Sequence, residues 1–533
     1  MSKITIESNN DISTADHTVN EQTPAKAWLI LAVVYFASIM APLSQFKIPP
    51  LATWLFAAYG SYGLDNVSFG LLMSSMAIVG CLLAFPAAFI TRRIGLKATV
   101  LLSLACLAIG NALGAAITEL GALMIGRLIE GIGIGLIGVA APACVSVWFP
   151  EKSRGKALGI WATWVPVGII VMFNLAPAFA GVAGDPATLT ADHVQLATYA
   201  SNATILSELS QEDITLSREV GIDGYCAIYW GCAFFSTLAF LLFALVFKMP
   251  HSSGTGAEKV KNTTALSAKD EDLNSRRDAL DASGEATNTK VVEFYTKDRV
   301  QDAKQLDEQK HASNIMEFKG SLLTSFCLLR NRNIWLLGIV FFVFCWCTLG
   351  VVNTFHGNFV MGPPLNLTQQ EASSLTSIIM FIAIFSSAAA GVAFDKVSAP
   401  KKKYLIVVTL SVLLVSNLFG FNATPALAFP FLIVMVVCQG ISGGATGGVC
   451  RPFAPLLMGG TPMGAIIAMA LLQFMQNFGN ALASPLFGAL LGITGGDYYF
   501  CSIVFQAPAL LIGIVAALLI NVRQEVLAKS GSV

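Results

Sequence analysis

Residues 122–148 read ALMIGRLIEGIGIGLIGVAAPACVSVW, an apolar run in which the ionisable side chains are Arg127 and Glu130 alone. A helix needs about 20 apolar residues to cross the hydrocarbon core of a bilayer. A soluble helix of this length would show a polar face, and this one has none. The run therefore reads as a membrane span. Working outward, five similar runs share the first half of the chain, at 27–48, 69–90, 98–117, 157–180 and 225–247. Six more follow, at 334–355, 373–394, 404–421, 426–457, 464–492 and 499–522. Across all 533 residues, 55% are hydrophobic and only 12% charged, more apolar surface than a soluble core can bury. Lipid is the expected solvent for most of the chain.

The basic residues set the expected orientation. Arg92, Arg93 and Lys97, then Lys152, Arg154 and Lys156, then Lys396 and Lys401 to Lys403 fall in loops on one side, which also receives both chain ends. The positive-inside rule puts that side in the cytoplasm, and the chain in the cell membrane. Residues 1–25 lack the basic start, short apolar core and small-residue site of a cleavable signal peptide. The eleven cysteines lie almost entirely in apolar runs and read as free packing thiols. A formal net charge of zero gives no basis for nucleic-acid binding.

The two halves repeat. With Trp28 set against Trp335, Gly131 falls 103 residues on in one half and Gly440 falls 105 on in the other, so that Glu130-Gly131 faces Gln439-Gly440. The expected organisation is a tail (1–26), a six-helix bundle (27–247) with an outer loop at 181–224, a cytoplasmic linker (248–333), a second bundle (334–522) and a tail (523–533). The fold class is thus an all-α polytopic membrane protein of twelve transmembrane helices in two six-helix bundles with pseudo-two-fold symmetry. Two such bundles can rock about a site between them and expose it to each side in turn.

Several motifs resemble those of the major facilitator superfamily of secondary transporters. Gly391-Val-Ala-Phe-Asp395-Lys396 looks like its loop motif after span eight, and the copy after span two keeps Arg93, Gly95 and Lys97 but has Arg92 at the expected acid. The resemblance implies that Gly391, Asp395, Lys396, Arg93 and Gly95 form a gate, the carboxylate latching the closed cytoplasmic side. Arg127-Leu-Ile-Glu130-Gly131-Ile-Gly133 is similar to the span-four pattern in which the arginine is tied to proton coupling. The Ile48-Pro49-Pro50 end of span one and Ala84-Phe85-Pro86 in span two loosely resemble nitrate and cyanate porters, although Ala84 stands where the nitrate carriers place an anion-binding arginine.

Ionisable groups at membrane depth cost about 2.5–3.5 kcal/mol on insertion scales, so each is a functional candidate. Arg127 and Glu130 share a helix face at i,i+3, either as a structural ion pair or as a proton-coupling pair in which a protonated Glu130 releases Arg127. Lys47 either points into a central cavity or snorkels outward. Arg451, after the glycines of span ten, either offers a planar fork to an anion or snorkels to the membrane edge. With Asn353, Gln473 and Asn477, the side chains of Lys47, Arg127 and Arg451 make up the expected substrate-binding set. Asn174, Gln476 and Asn480 are further polar candidates, with Trp161 and Trp164 as apolar walls, and His356 reads as an outer-loop histidine. No span holds a histidine cluster, nucleophile elbow or phosphate loop, so neither an enzyme nor a bound cofactor or metal is expected. The expected activity is transport of a small organic or inorganic anion with a proton, by a monomer in the lipid bilayer. Efflux of drug-like or metabolite compounds is the alternative, and a receptor or scaffold a third reading.

Overall fold

The computed structural model describes residues 25–149, 151–185, 211–248, 330–422, 428–458 and 462–521. Nearly all of the expected linker, part of the outer loop and both tails lie outside these residues. The described chain is helical because backbone groups in lipid have no solvent partner and must bond within the segment. Ten of its helices are long and apolar enough to cross a membrane.

In the first half, α1 (Ala25–Gln45), a 3-10 turn (Pro49–Leu51) and α2 (Ala52–Tyr59) form one broken span. Helices α3 (Asn66–Leu83) and α4 (Pro86–Ile94) form the second, followed by α5 (Leu96–Ala116) and α6 (Leu120–Trp148). The fifth is α7 (Glu151–Trp161) continued by α8 (Trp164–Ala183), and the sixth is α9 (Gln211–Val246). In the second half, α10 (Arg332–Cys345), a π-helical turn (Trp346–Val352) and α11 (Asn353–Met361) form one span. Then come α12 (Gln369–Lys396), α13 (Lys402–Gly420), α14 (Ala428–Leu457), α15 (Pro462–Ile493) and α16 (Tyr498–Leu519).

The local chemistry explains the breaks. Pro49 and Pro50 donate no backbone hydrogen bond, so α1 ends before them and the chain restarts as a 3-10 turn. Pro86 opens α4 at a position where its missing N–H costs nothing. Gly95, at φ +88°, makes the sharp link from α4 to α5. Thr368 and Glu371 cap α12 reciprocally. Two boundaries differ from expectation. Helix α9 begins within the acidic stretch expected as loop, because its first turns pack on α2: a Cβ at Gly221 would lie 2.5 Å from the Ala58 nitrogen. Span seven runs on through α11, which carries His356 into the interior instead of a loop.

The repeat is visible in the packing. Helix α6 crosses α3 at Gly131, where an added Cβ would meet Val79 at 2.7 Å; α14 crosses α12 at the register partner Gly440, where it would meet Ile382 at 2.6 Å. Across the halves, α3 packs on α15 and α8 on α12. Three apolar cores result. One, containing Phe46, Trp54, Phe69, Tyr225, Phe355, Phe421 and Phe487, draws on both halves. The other two belong to one half each, around Val34, Leu104 and Phe243 and around Leu337, Leu410 and Phe453. These single-half cores lie toward the face where α1 begins and α16 ends, called here the terminal face. The halves are therefore joined at the opposite face and parted at the terminal one.

Polar contacts reinforce the joined face. Thr53 Oγ1 donates to Gln369 Oε1 at 2.9 Å, Asn174 Nδ2 donates to Ser377 Oγ at 2.9 Å, and Ser374 Oγ donates to Asn174 Oδ1 at 3.1 Å.

Candidate functional site

Between the parted halves lies a cavity of about 400 Å³, within the range of about 300–1,000 Å³ usual for ligand pockets. Its walls come from the junction of α7 and α8, the α10–α11 span, α12, α14 and Gln476 of α15. Most of the lining is apolar, with Phe341, Phe344, Leu349, Val352, Ile379 and Met380 among it. The π-helical turn contributes Thr348, Leu349 and Val352, a local irregularity often found at functional sites.

Arg451 is the one charged side chain among the described lining residues. It lies near the end of α14 at Leu457 and is solvent-exposed. Among the described residues it has neither an ion pair nor a hydrogen-bond partner. Asn353 and Gln439 line the same space and are each 1% exposed. Both amide atoms of Asn353 lack a hydrogen-bond partner, as does Oε1 of Gln439, whose Nε2 donates to Asn417 Oδ1.

A second polar assembly is sealed within the first half. Lys47 Nζ lies 2.8 Å from Glu130 Oε1, and Arg127 Nη1 lies 2.7 Å from Glu130 Oε2, with all three side chains fully buried. Lys47 also donates to Asn111 Oδ1 and stands 3.3 Å from the ring centroid of Tyr229. The remaining donors of Arg127 reach the carbonyls of Ser44 (2.5 Å), Gln45 (3.0 Å) and Leu72 (3.1 Å). A helix end leaves its last carbonyls unbonded, and the guanidinium caps those of α1 where the helix dipole is negative. Thus the proline break places Lys47, and the end it creates helps hold Arg127. The assembly carries two cations and one anion, leaving one positive charge, and in this conformation none of the three lines the cavity.

The expected residues therefore separate. Arg451 and Asn353 meet at the cavity, whereas Lys47, Arg127 and Glu130 meet elsewhere. Gln473 does not line the cavity, and Asn477 faces Gly80 across the α3–α15 contact. Asn174 belongs to the closure at the joined face. Trp161 and Trp164 stack on one another at 5.5 Å, with Trp161 Nε1 donating to Ser38 Oγ. His356 is fully buried, its Nδ1 3.0 Å from Thr376 Oγ1. Of the gate residues, Arg93, Asp395 and Lys396 are exposed, and Asp395 forms no ion pair among the described residues. Gly391 has open space where a Cβ would point.

Asn111, Asn417, Tyr229 and Gln439 were not among the expected site residues. A lone amide within an apolar span was the available signal for Asn111 and Asn417. The register with Glu130 was the signal for Gln439. Nothing in sequence distinguishes Tyr229 from the other aromatic residues.

A family model described as Major Facilitator Superfamily matches residues 34–466. Among curated relatives, the High-affinity glucose transporter 1 of Candida albicans is 29% identical over 156 residues, 28% of either chain. The H(+)/hexose cotransporter 2 of Parachlorella kessleri is 34% identical over 107 residues, 20% of either chain. These alignments span less than a third of each relative. The solved structure of a bacterial homolog of the human lysosomal transporter Spinster superposes with a TM-score of 0.60 at 15% identity, covering 93% of this chain and 98% of that one. A D-xylose-proton symporter superposes with a TM-score of 0.56 at 15% identity, covering 92% and 97%. Such likeness establishes the fold alone. The sugar transporters among the relatives give the looser nitrate and cyanate resemblance no support.

Proposed function

Because this chain belongs to the Major Facilitator Superfamily, whose members are secondary transporters and not enzymes, we propose that it carries a small organic anion across the cytoplasmic membrane by alternating access. Arg451 carries this reading: a cation with no carboxylate partner among the described residues, at the edge of a cavity between two bundles, is a ready counter-charge for a solute. The apolar walls receive the carbon skeleton, and Asn353, Gln439 and Gln476 supply hydrogen bonds. Lys47 and Arg127 act with Glu130 as the coupling group instead of as direct ligands. A proton on Glu130 weakens both of its ion pairs, loosening the tie between Lys47, just past the end of α1, and the Arg127–Glu130 face of α6, and so linking protonation to the angle between the bundles. The conformation is open at the terminal face, which the basic loops assign to the cytoplasm. The working unit is a single chain with its solute and a proton.

A second reading is a neutral sugar, supported by what the relatives of yeast and alga are named for. Thermal unfolding of the purified, detergent-solubilised protein separates the two. Stabilisation by small carboxylates, lost in Arg451→Gln, supports the anion carrier. Stabilisation by hexoses or pentoses that persists in Arg451→Gln supports the sugar reading. Stabilisation by lipophilic cations alone supports efflux.

A further inference from the structure

We infer that the anion is a hydroxylated monocarboxylate, a sugar acid in chemical class, with Arg451 binding its carboxylate and Asn353 and Gln439 binding its hydroxyl groups. This rests on the anion-carrier reading and narrows it.

Two observations lead there. The first is charge: Arg451 is the single cation among the described lining residues, with no acid beside it. One carboxylate balances it. The second group of a dicarboxylate would be left among apolar side chains without a counter-charge, which is strongly unfavourable. The second observation is the set of orphaned amide atoms. Asn353 presents an unpaired donor and an unpaired acceptor, and Gln439 an unpaired acceptor, in side chains that are nine-tenths or more buried and face the cavity. Buried polar atoms are normally paired, so three such atoms in side chains lining one cavity are provided for a ligand. A methylene group placed beside them leaves those bonds unmade. A hydroxyl group can make them, because it donates and accepts at once. An amide alone would suit a neutral sugar, and an arginine alone would suit a fatty acid. The pair suits a molecule with both features.

The repeat sharpens the contrast. Gln439 holds the register position of Glu130, and it bonds Asn417 in the second half as Glu130 neighbours Lys47 and Asn111 in the first. The first-half assembly is closed by two cations. Its counterpart is neutral, opens on the cavity and has acceptor capacity unused.

The experiment is binding calorimetry on the full chain in detergent with four six-carbon probes: gluconate, hexanoate, glucose and the hydroxylated dicarboxylate glucarate. Gluconate is expected to bind at least about tenfold more tightly than each of the others, a factor equal to one well-made hydrogen bond to a charged or buried group. Asn353→Leu is expected to weaken gluconate about tenfold while leaving hexanoate unchanged, and Arg451→Gln to weaken both. Gln439→Leu serves if Asn353→Leu does not fold, and the wild-type ranking of the four probes stands without either. Equal binding of hexanoate and gluconate, or tighter binding of glucarate, overturns the inference and leaves the anion carrier intact. Binding of glucose alone, insensitive to Arg451→Gln, or of no anion at all, overturns both.

Discussion

Glu130 bridges two buried cations, so its removal is predicted to cost more than removal of Lys47. At separations of 2.7 and 2.8 Å, each pair attracts by about 6 kcal/mol at an effective dielectric constant of about 20. Desolvation offsets much of that, and breaking a buried pair from one side costs about 3–5 kcal/mol because a charge is left behind. Glu130→Gln leaves two cations with no anion, and is expected to lose about that much stability. Lys47→Met leaves the Arg127–Glu130 pair whole and deprives Asn111 and one carboxylate oxygen of a donor, for about 1–3 kcal/mol. The double variant keeps Arg127 on its three backbone carbonyls and restores the single positive charge of the original assembly. Its loss is therefore expected to fall short of the sum of the two singles by at least about 1 kcal/mol, as residues in one network require. Denaturant unfolding of the four proteins in the same detergent measures the cycle. Additive losses, or a Glu130→Gln variant no weaker than Lys47→Met, would refute the electrostatic account of this assembly.

Further expectations concern the two faces. Asn174→Ala removes hydrogen bonds between α8 and α12, each worth about 0.5–1.5 kcal/mol; it should shift the population toward opening at the joined face by about twofold to tenfold or more, read as faster labelling of a cysteine introduced there. Gly70→Val should act in the same direction and more strongly, since an added Cβ would stand 2.5 Å from the Ser484 carbonyl oxygen; unchanged labelling would contradict the close approach. Asp395→Asn should alter the stability of the present conformation by less than about 0.5 kcal/mol, because no described cation is paired with it, while favouring this conformation over the one closed at the terminal face. Gly110→Val, placing atoms about 2.6 Å from the Glu130 Cγ, should destabilise the first half by about 1–3 kcal/mol through overpacking, seen as a lower unfolding midpoint.

The spans could be read from sequence because lipid imposes one rule on every backbone group crossing it, and runs such as 122–148 answer it plainly. The Arg127–Glu130 pair was equally legible, since i,i+3 spacing is a local property. What could not be read is what arrives from elsewhere in the chain. Lys47 sits 83 residues from Glu130, and its choice between cavity and outer surface depended on where the proline break turned the backbone and on Asn111 and Tyr229 waiting beside it. Arg451 was recognisable as an unusual cation, but its lack of a partner among the described residues depends on everything packed around it. Asn477 and Asn353 look alike in sequence, each a lone amide in an apolar helix. A helix rotation of a few residues sends one to Gly80 and the other to the cavity. Helix α9 was cut short because acidic residues suggest a loop, whereas close packing on α2 rewards continued helix.

The separation of the charged assembly from the cavity has a consequence for how such a protein can change. On the proposed roles, a mutation at Asn353, Gln439 or Arg451 would redraw what is recognised without disturbing the ion pairs of the other half, and a mutation near Glu130 would alter the coupling without touching the cavity walls. On that reading, selectivity and energy supply can drift independently. An ancestor of this layout could acquire new cargo while keeping its engine, and a laboratory library confined to the second half should do the same.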